Sequence, residues 1–184
     1  MKYFVISDIH GSKYYLEKAL KEFSNHTYDN LLILGDILYH GPRNALPKDY
    51  DTTYVMQELN KRKDKIIAIR GNCDAEVDQM VLEFKITDTY RLLNDDKILM
   101  THGHVYGPND HPIVKKGSCI LSGHTHIPTC DEKNGCYYLN PGSISIPKGG
   151  FPNSYGVLTD TEFTVYNLET NEIIMQTKFK VDLN

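Results

Sequence analysis

Lys2-Tyr3-Phe4-Val5-Ile6-Ser7-Asp8-Ile9-His10-Gly11 begins as an apolar run and ends in an acid, an imidazole and a glycine. The run reads as a core strand over 2–7. Asp8 and His10 are two residues apart at its extended end, so their side chains point to the same side. Gly11 lets the backbone turn sharply there with no Cβ in the way. Ser12 is placed to cap a helix carrying Leu16, Ala19, Leu20 and Phe23 on one face. A second strand over 31–34 stops at Gly35-Asp36, and an irregular loop over 39–51 contains Pro42 and Pro47. A helix over 52–63 is expected to bury Tyr54, Val55, Met56 and Leu59. A third strand over 66–69 then leads to Gly71-Asn72. This β-α-β-α-β order predicts parallel strands joined by right-handed crossovers.

The second half reads differently. Hairpin-like pairs are expected at 83–93 with 97–101, at 128–132 with 136–139, and at 154–160 with 163–168, followed by a strand over 173–180. Mixed sheets packed face to face with helices outside follow from this pattern. No internal repeat, low-complexity tract or linker divides the chain, so 1–184 reads as one domain.

Composition narrows the function classes. The 184 residues are 40% hydrophobic and 24% charged, as in an ordinary globular protein, and the net charge of −4 supplies no basic footprint for nucleic acid. The lysines are dispersed, and no apolar run approaches the ~20 residues of a membrane helix. No signal-peptide pattern precedes the first strand, and Cys73, Cys119, Cys130 and Cys136 show no CxxC spacing. These features predict reduced thiols in a cytoplasmic protein. A Cys130–Cys136 bridge is disfavoured, because a hairpin turning at Asn134-Gly135 sets the two out of register.

Five stretches place Asp, Asn or His beside glycine: Asp8-Ile-His10-Gly11, Gly35-Asp36, Gly71-Asn72, His102-Gly103-His104 and Gly123-His124-Thr125-His126. Singly each is commonplace; together and mostly at strand ends, they describe one site. His124 and His126 repeat the two-residue geometry of Asp8 and His10. Asp36 offers two carboxylate oxygens and can bridge two ions. Asn72 adds an amide oxygen and His102 an imidazole. Mixed oxygen and nitrogen donors suit two divalent ions, manganese first, with nickel, iron or zinc as alternatives, over calcium or magnesium. Such a pair lowers the pKa of a shared water and neutralises the oxygens of a phosphate ester, which predicts in-line attack by a metal-bridging hydroxide.

In that order the motifs resemble the calcineurin-like metallophosphoesterase superfamily, and the likeness runs through nearly the whole chain. The stretch 35–44, with Arg70-Gly71-Asn72-Cys73-Asp74, Thr101-His102-Gly103-His104, Asn140-Pro141-Gly142-Ser143 and Pro147-Lys148-Gly149-Gly150, is similar to its small bacterial phosphodiesterases. The resemblance implies an α/β fold: a four-layer α/β/β/α sandwich of two mixed sheets flanked by helices, metallo-dependent phosphatase-like. It implies one ion held by Asp8, His10, Asp36 and His126, and a second by Asp36, Asn72, His102 and His124. Asp36 and Asn72 thereby count among the catalytic residues. The superfamily often has His after Gly-Asn as the acid for the leaving group. Here Cys73 stands there, so good leaving groups are expected, with His104 or a water as substitute acid.

The resemblance implies a substrate-binding role for Arg43, whose guanidinium suits phosphate. His40 has a weaker claim, Asn140 reads as shaping a turn, and Lys148 could reach the cleft but reads more readily as a surface lysine. His26 and His111 need no catalytic role. The expected activity is hydrolysis of a small phosphate diester, with no membrane or nucleic-acid partner. The alternatives are a non-catalytic protein-interaction scaffold of the same fold and a phosphomonoesterase. No ligand position is missing, which argues against the scaffold. An exposed apolar edge or helix would favour a homo-oligomer.

Overall fold

The computed structural model describes residues 1–87, 89–180 and 183, with the side chain of Thr87 left out. Twelve strands form two mixed sheets among these residues. In chain order the elements are β1 (Lys2–Ile6), α1 (Lys13–Asn25), β2 (Asn30–Ile33), α2 (Thr52–Asn60), β3 (Ile66–Ile69) and α3 (Glu76–Val81). Then come β4 (Ile86–Thr87), β5 (Tyr90–Leu93), β6 (Ile98–Thr101), β7 (Cys119–Leu121), β8 (Thr129–Lys133) and β9 (Cys136–Asn140). The last three are β10 (Ser154–Thr159), β11 (Glu162–Asn167) and β12 (Ile173–Lys178). The larger sheet has the order β12-β11-β10-β1-β2-β3-β4 and the smaller β5-β6-β7-β9-β8.

Alternation explains the stacking. β1, β2 and β3 are parallel neighbours, with Phe4 opposite Leu31 and Leu31 opposite Ile66. Phe4, Ile6, Leu31, Ile33 and Ala68 pack on one face with Leu16, Ala19, Val55 and Leu59 from the helices. Tyr3, Val5, Leu32, Leu34 and Ile69 point the other way, against Ile98, Met100, Cys119 and Leu121 of the smaller sheet. A strand buried on both faces must be apolar at every position, which is why these runs are continuous. The smaller sheet has a patch of Leu99, Ile120, Cys136 and Tyr138, covered by Val114. That cover comes from the β6–β7 connection, whose Pro108 and Pro112 suit irregular backbone.

Several local expectations hold. Ser12 caps α1, accepting from Tyr15 N at 3.4 Å. The β8–β9 hairpin turns at Asn134-Gly135, both with positive φ. Cys130 faces Leu139 while Cys136 faces Lys133, and all four cysteines are free.

Others need correction. The second helix stops at Asn60 and a single 3₁₀ turn, Lys63–Lys65, follows. Val55 and Leu59 are buried, but Tyr54 and Met56 are only half-buried, because Tyr54 turns outward beneath the Lys13 ammonium. The strand expected over 83–93 is two strands in different sheets. β4 joins β3 in parallel and β5 joins β6 antiparallel, so the chain crosses between sheets; Asp88 lies outside the described residues. The predicted strand 173–180 ends at Lys178. The six-residue helix α3 was not expected; its Asp78 carboxylate accepts from Ala75 N at 2.8 Å, closing the first turn.

Candidate metal centre

The site grows from the ends of β1, β2, β3, β6 and β7. Asp8, His10, Asp36, His124 and His126 all have left-handed backbone, with φ of 55°, 50°, 54°, 65° and 60°. Asp and His tolerate this region better than most side chains, yet five such residues in one site represent conformational strain held by the surrounding fold. Ser143 and Ser145 both donate to Asp8 O, at 2.9 and 2.8 Å. Asn140 Nδ2 donates to Gly123 O at 2.8 Å and shapes the turn that carries the two histidines.

Backbone carbonyls fix the imidazoles. Nδ1–H of His10 donates to Tyr39 O at 2.8 Å, that of His102 to Leu34 O at 2.6 Å, and that of His126 to Ile146 O at 2.5 Å. A carbonyl can only accept, so each Nε2 is left to face the site. Asp36 Oδ2 lies 3.5 Å from His102 Nε2 and 3.7 Å from His10 Nε2, reached from two sides. Asp8 Oδ1 lies 3.2 Å from His126 Nε2 and 3.8 Å from His10 Nε2. Asn72 Oδ1 lies 3.1 Å from His102 Nε2. The His124 ring is half-buried, 5.2 Å from that of His102.

This donor set fits divalent cations. Ligand atoms of Asp8, His10 and His126 lie within 4.8 Å of one another, as do those of Asp8, Asp36 and His102. Asp8 Oδ1 and His10 Nε2 are buried without a hydrogen-bond partner. Orphaned buried polar atoms are costly, and a shared cation would satisfy both. The other carboxylate oxygens are held by the protein. Asp8 Oδ2 accepts from Ser7 Oγ at 2.6 Å and His124 N at 3.1 Å, and Asp36 Oδ1 from Cys73 N at 2.8 Å.

The two carboxylates stay ionised, as metal ligands must, whereas His102 holds a proton that a metal ion would displace. Burial disfavours the Asp36 carboxylate, but the hydrogen bond and charge of His102 outweigh it and hold the group well below the usual range. Asp8 is likewise lowered, with burial opposed by His126 and His102. Burial disfavours the His102 imidazolium too, yet the Asp36 and Asp8 carboxylates raise it to about 9. Burial lowers His10. The Cys73 thiol is pushed up to about 12 by burial and by Asp36, so it stays protonated.

Asp74 escaped the sequence reading. Its buried carboxylate accepts from Ile37 N and Gly71 N at 2.7 Å and from Asp36 N at 2.8 Å. It thereby ties the turn after β2 to the turn after β3. Burial raises it to about 6 against the opposing effect of those N–H groups. Its place beside Gly71-Asn72 was the available signal. Lys148 is exposed, as a surface lysine would be, and it also reaches the cleft, lining about 880 Å³ with His10, Asp36, Arg43, Asn72, Cys73 and His126. His104 instead borders an adjoining depression with Asn72 and Arg70, its ring 5.3 Å from that of His102. His40 sits between Tyr39 and Tyr50 in edge-on ring contacts, and His111 bonds Tyr138 far from the site.

A family model described as the calcineurin-like phosphoesterase superfamily domain matches residues 1–162. The chain is 45% identical to phosphodiesterase YfcE of Escherichia coli over 178 residues, 96% of this chain and 97% of that protein. A solved structure of the E. coli YfcE phosphoesterase superposes with a TM-score of 0.93 at 44% identity, covering 96% of this chain and 98% of that one. Vacuolar protein sorting 29 of Cryptosporidium parvum, with a TM-score of 0.65 at 18% identity and 97% coverage of each chain, shares the fold.

Proposed function

We infer the activity of this chain from one premise: it belongs to the calcineurin-like phosphoesterase superfamily. It is a metal-dependent phosphoesterase, and its reaction is hydrolysis of small phosphate diesters at a dinuclear centre. The observation that carries this reading is the convergence of Asp8, His10, Asp36, His102 and His126 around two orphaned buried donor atoms.

Asp8, His10, Asp36 and His126 would hold one ion, and Asp36, Asn72, His102 and His124 the other. Two divalent ions at such a site supply a water acidic enough to ionise near neutral pH and neutralise the phosphoryl oxygens. The protein's own contribution is orientation. Three carbonyls lock the imidazole tautomers, Cys73 N and Asp74 fix Asp36, and Ser7 and His124 N fix Asp8. Arg43 lines the cleft wall outside the ligand cluster, where it suits a substrate group beyond the scissile phosphoryl. The protonated Cys73 thiol is a weak acid, and His104 stands beside Asn72 as the other candidate donor. Good leaving groups are therefore favoured. Oxygen and nitrogen donors support manganese as the metal, with nickel, iron and zinc as competitors. Among the described residues no helix is long and apolar enough to cross a membrane, and the free cysteines fit a reducing, cytoplasmic setting.

The test uses metal-stripped protein with manganese, nickel, zinc or magnesium restored. Bis(4-nitrophenyl) phosphate is compared with 4-nitrophenyl phosphate, with Asp36→Asn as control. Diester turnover that requires a transition metal and disappears with Asp36→Asn supports the reading. A folded protein that cleaves only the monoester, or neither ester with any metal, overturns it.

A further inference from the structure

Two loops fix the imidazoles that flank Asp8, and each also brings a cation to the cleft. Tyr39 accepts from His10 Nδ1, and four residues later, past Gly41 with φ of 83°, the same loop presents Arg43. Ile146 accepts from His126 Nδ1, and Lys148 N donates back to His126 O at 3.2 Å. Arg43 and Lys148 are both exposed and line the same cleft. Among the described residues neither charged head has a hydrogen-bond or ion-pair partner.

Two carboxylates also line the cleft, and neither is free to pair with them. Both oxygens of Asp74 are taken by backbone N–H groups, and Asp36 is committed to Cys73 N and the imidazoles. Two divalent ions, two carboxylate ligands and the attacking hydroxide would net one positive charge, which already balances the single negative charge of a simple diester. Arg43 and Lys148 add two further positive charges, so the electrostatics call for a substrate with a second anionic group beside the scissile one. At the rim Tyr39 is 42% exposed and lines the same wall, offering an aromatic face to the organic part.

We propose that the preferred substrate is a diester of diphosphate of the nucleoside-diphosphate type, with one phosphoryl group at the ligand cluster and the other between Arg43 and Lys148. This rests on the phosphodiesterase reading and specifies its substrate class. Water oxygen forms the new P–O bond and the P–O–P bridge breaks. The electron pair leaves on the departing phosphate monoester, and the two protons of the water pass to solvent. A phosphate monoester departs as a stable anion, which suits a cleft that has Cys73 where a stronger acid would stand. Arg43 is suited to a bidentate grip on the second phosphoryl group, and Lys148 to a point contact.

The experiment compares UDP-glucose with bis(4-nitrophenyl) phosphate on the manganese-loaded protein, in wild type and in Arg43→Met and Lys148→Met variants. Binding of the α,β-methylene analogue of UDP-glucose, which cannot break at the bridge, is read by calorimetry alongside. In wild type, UDP-glucose should yield UMP and glucose 1-phosphate. Each substitution should lower kcat/KM for UDP-glucose relative to bis(4-nitrophenyl) phosphate by about tenfold or more and weaken the analogue by a similar factor. Arg43→Lys should recover part of that loss. If bis(4-nitrophenyl) phosphate is cleaved but UDP-glucose is not, the substrate class is refuted while the phosphodiesterase reading stands. Equal losses on both substrates also refute it. If neither is cleaved, the phosphodiesterase reading fails. The analogue titration then decides the two-cation contact, which is refuted by binding unchanged in the variants.

Discussion

Replacing Gly71 by Ala tests whether the Asp36 carboxylate, the proposed bridge, is held by packing as tightly as that role requires. An Ala Cβ would stand 2.1 Å from Asp36 Oδ1, 2.4 Å from Asp36 N and 2.9 Å from Asp36 Cγ. The φ of Gly71 is ordinary, so the substitution carries no left-handed backbone penalty and the effect is steric. Ordinary contact begins near 3.4 Å. The two turns must therefore separate by about 1.3 Å at the closest point. Asp36 cannot slide away freely, because Asp74 holds its N–H and Cys73 N holds its carboxylate. Metal–ligand distances tolerate about 0.2 Å, and a misplacement of about 1 Å costs on the order of 100-fold in rate. Gly71→Ala is expected to lose at least about 100-fold in kcat/KM on bis(4-nitrophenyl) phosphate. Metal retention, measured by atomic emission after desalting, should fall, while overpacking costs about 1–3 kcal/mol in urea unfolding. Gly107→Ala is the control: its nearest contact is 3.4 Å and its φ is ordinary, so it should stay within about 0.5 kcal/mol of wild type. Full activity with full metal content in Gly71→Ala would refute the steric argument.

Asp74→Asn keeps shape but turns an NH₂ toward one of the N–H groups of Asp36, Ile37 and Gly71. It should cost about 1–3 kcal/mol and weaken manganese binding. Unchanged urea unfolding would remove Asp74 from its place as the tie between the turns. Adding manganese to stripped protein should raise the melting temperature, corresponding to about 2.7 kcal/mol at 100 times Kd. Asp8→Asn and His10→Ala should flatten that rise, whereas an unchanged rise would show that the metal binds elsewhere. Burial and Glu22 push Tyr28 up to about 12, above its unfolded value near ~10. Its contribution is complete below pH ~10 and is lost as pH climbs through about 12. Thermal melts of Tyr28→Phe between pH 9 and 12 should fall less steeply than wild type, and parallel slopes would contradict this.

Ligand types and the first three strands were legible because their signals are local. A short apolar run closed by glycine reads as a strand buried on both faces, and Gly35 and Gly71 mark where side chains of other turns come close. The split of 83–93 was not legible, since β4 and β5 each have strand character and only their partners, β3 and β6, decide which sheet each joins. Lys148 reads more readily as a surface lysine than as a cleft residue, and only the folded chain, with Lys148 N bonded to His126 O, brings it to the cleft that Arg43 also lines.

What the sequence singled out by itself is the candidate donor set: Asp8, His10, Asp36, Asn72, His102, His124 and His126, each in a short stretch that holds a glycine. Only the tertiary structure decided which nitrogen each locked imidazole presents, which carboxylate oxygen is left without a partner, and which cations face the cleft. Those properties depend on contacts such as His124 N to Asp8 Oδ2, 116 residues apart. They are set by packing two sheets together, an interaction between distant segments that no local pattern of residue types can encode.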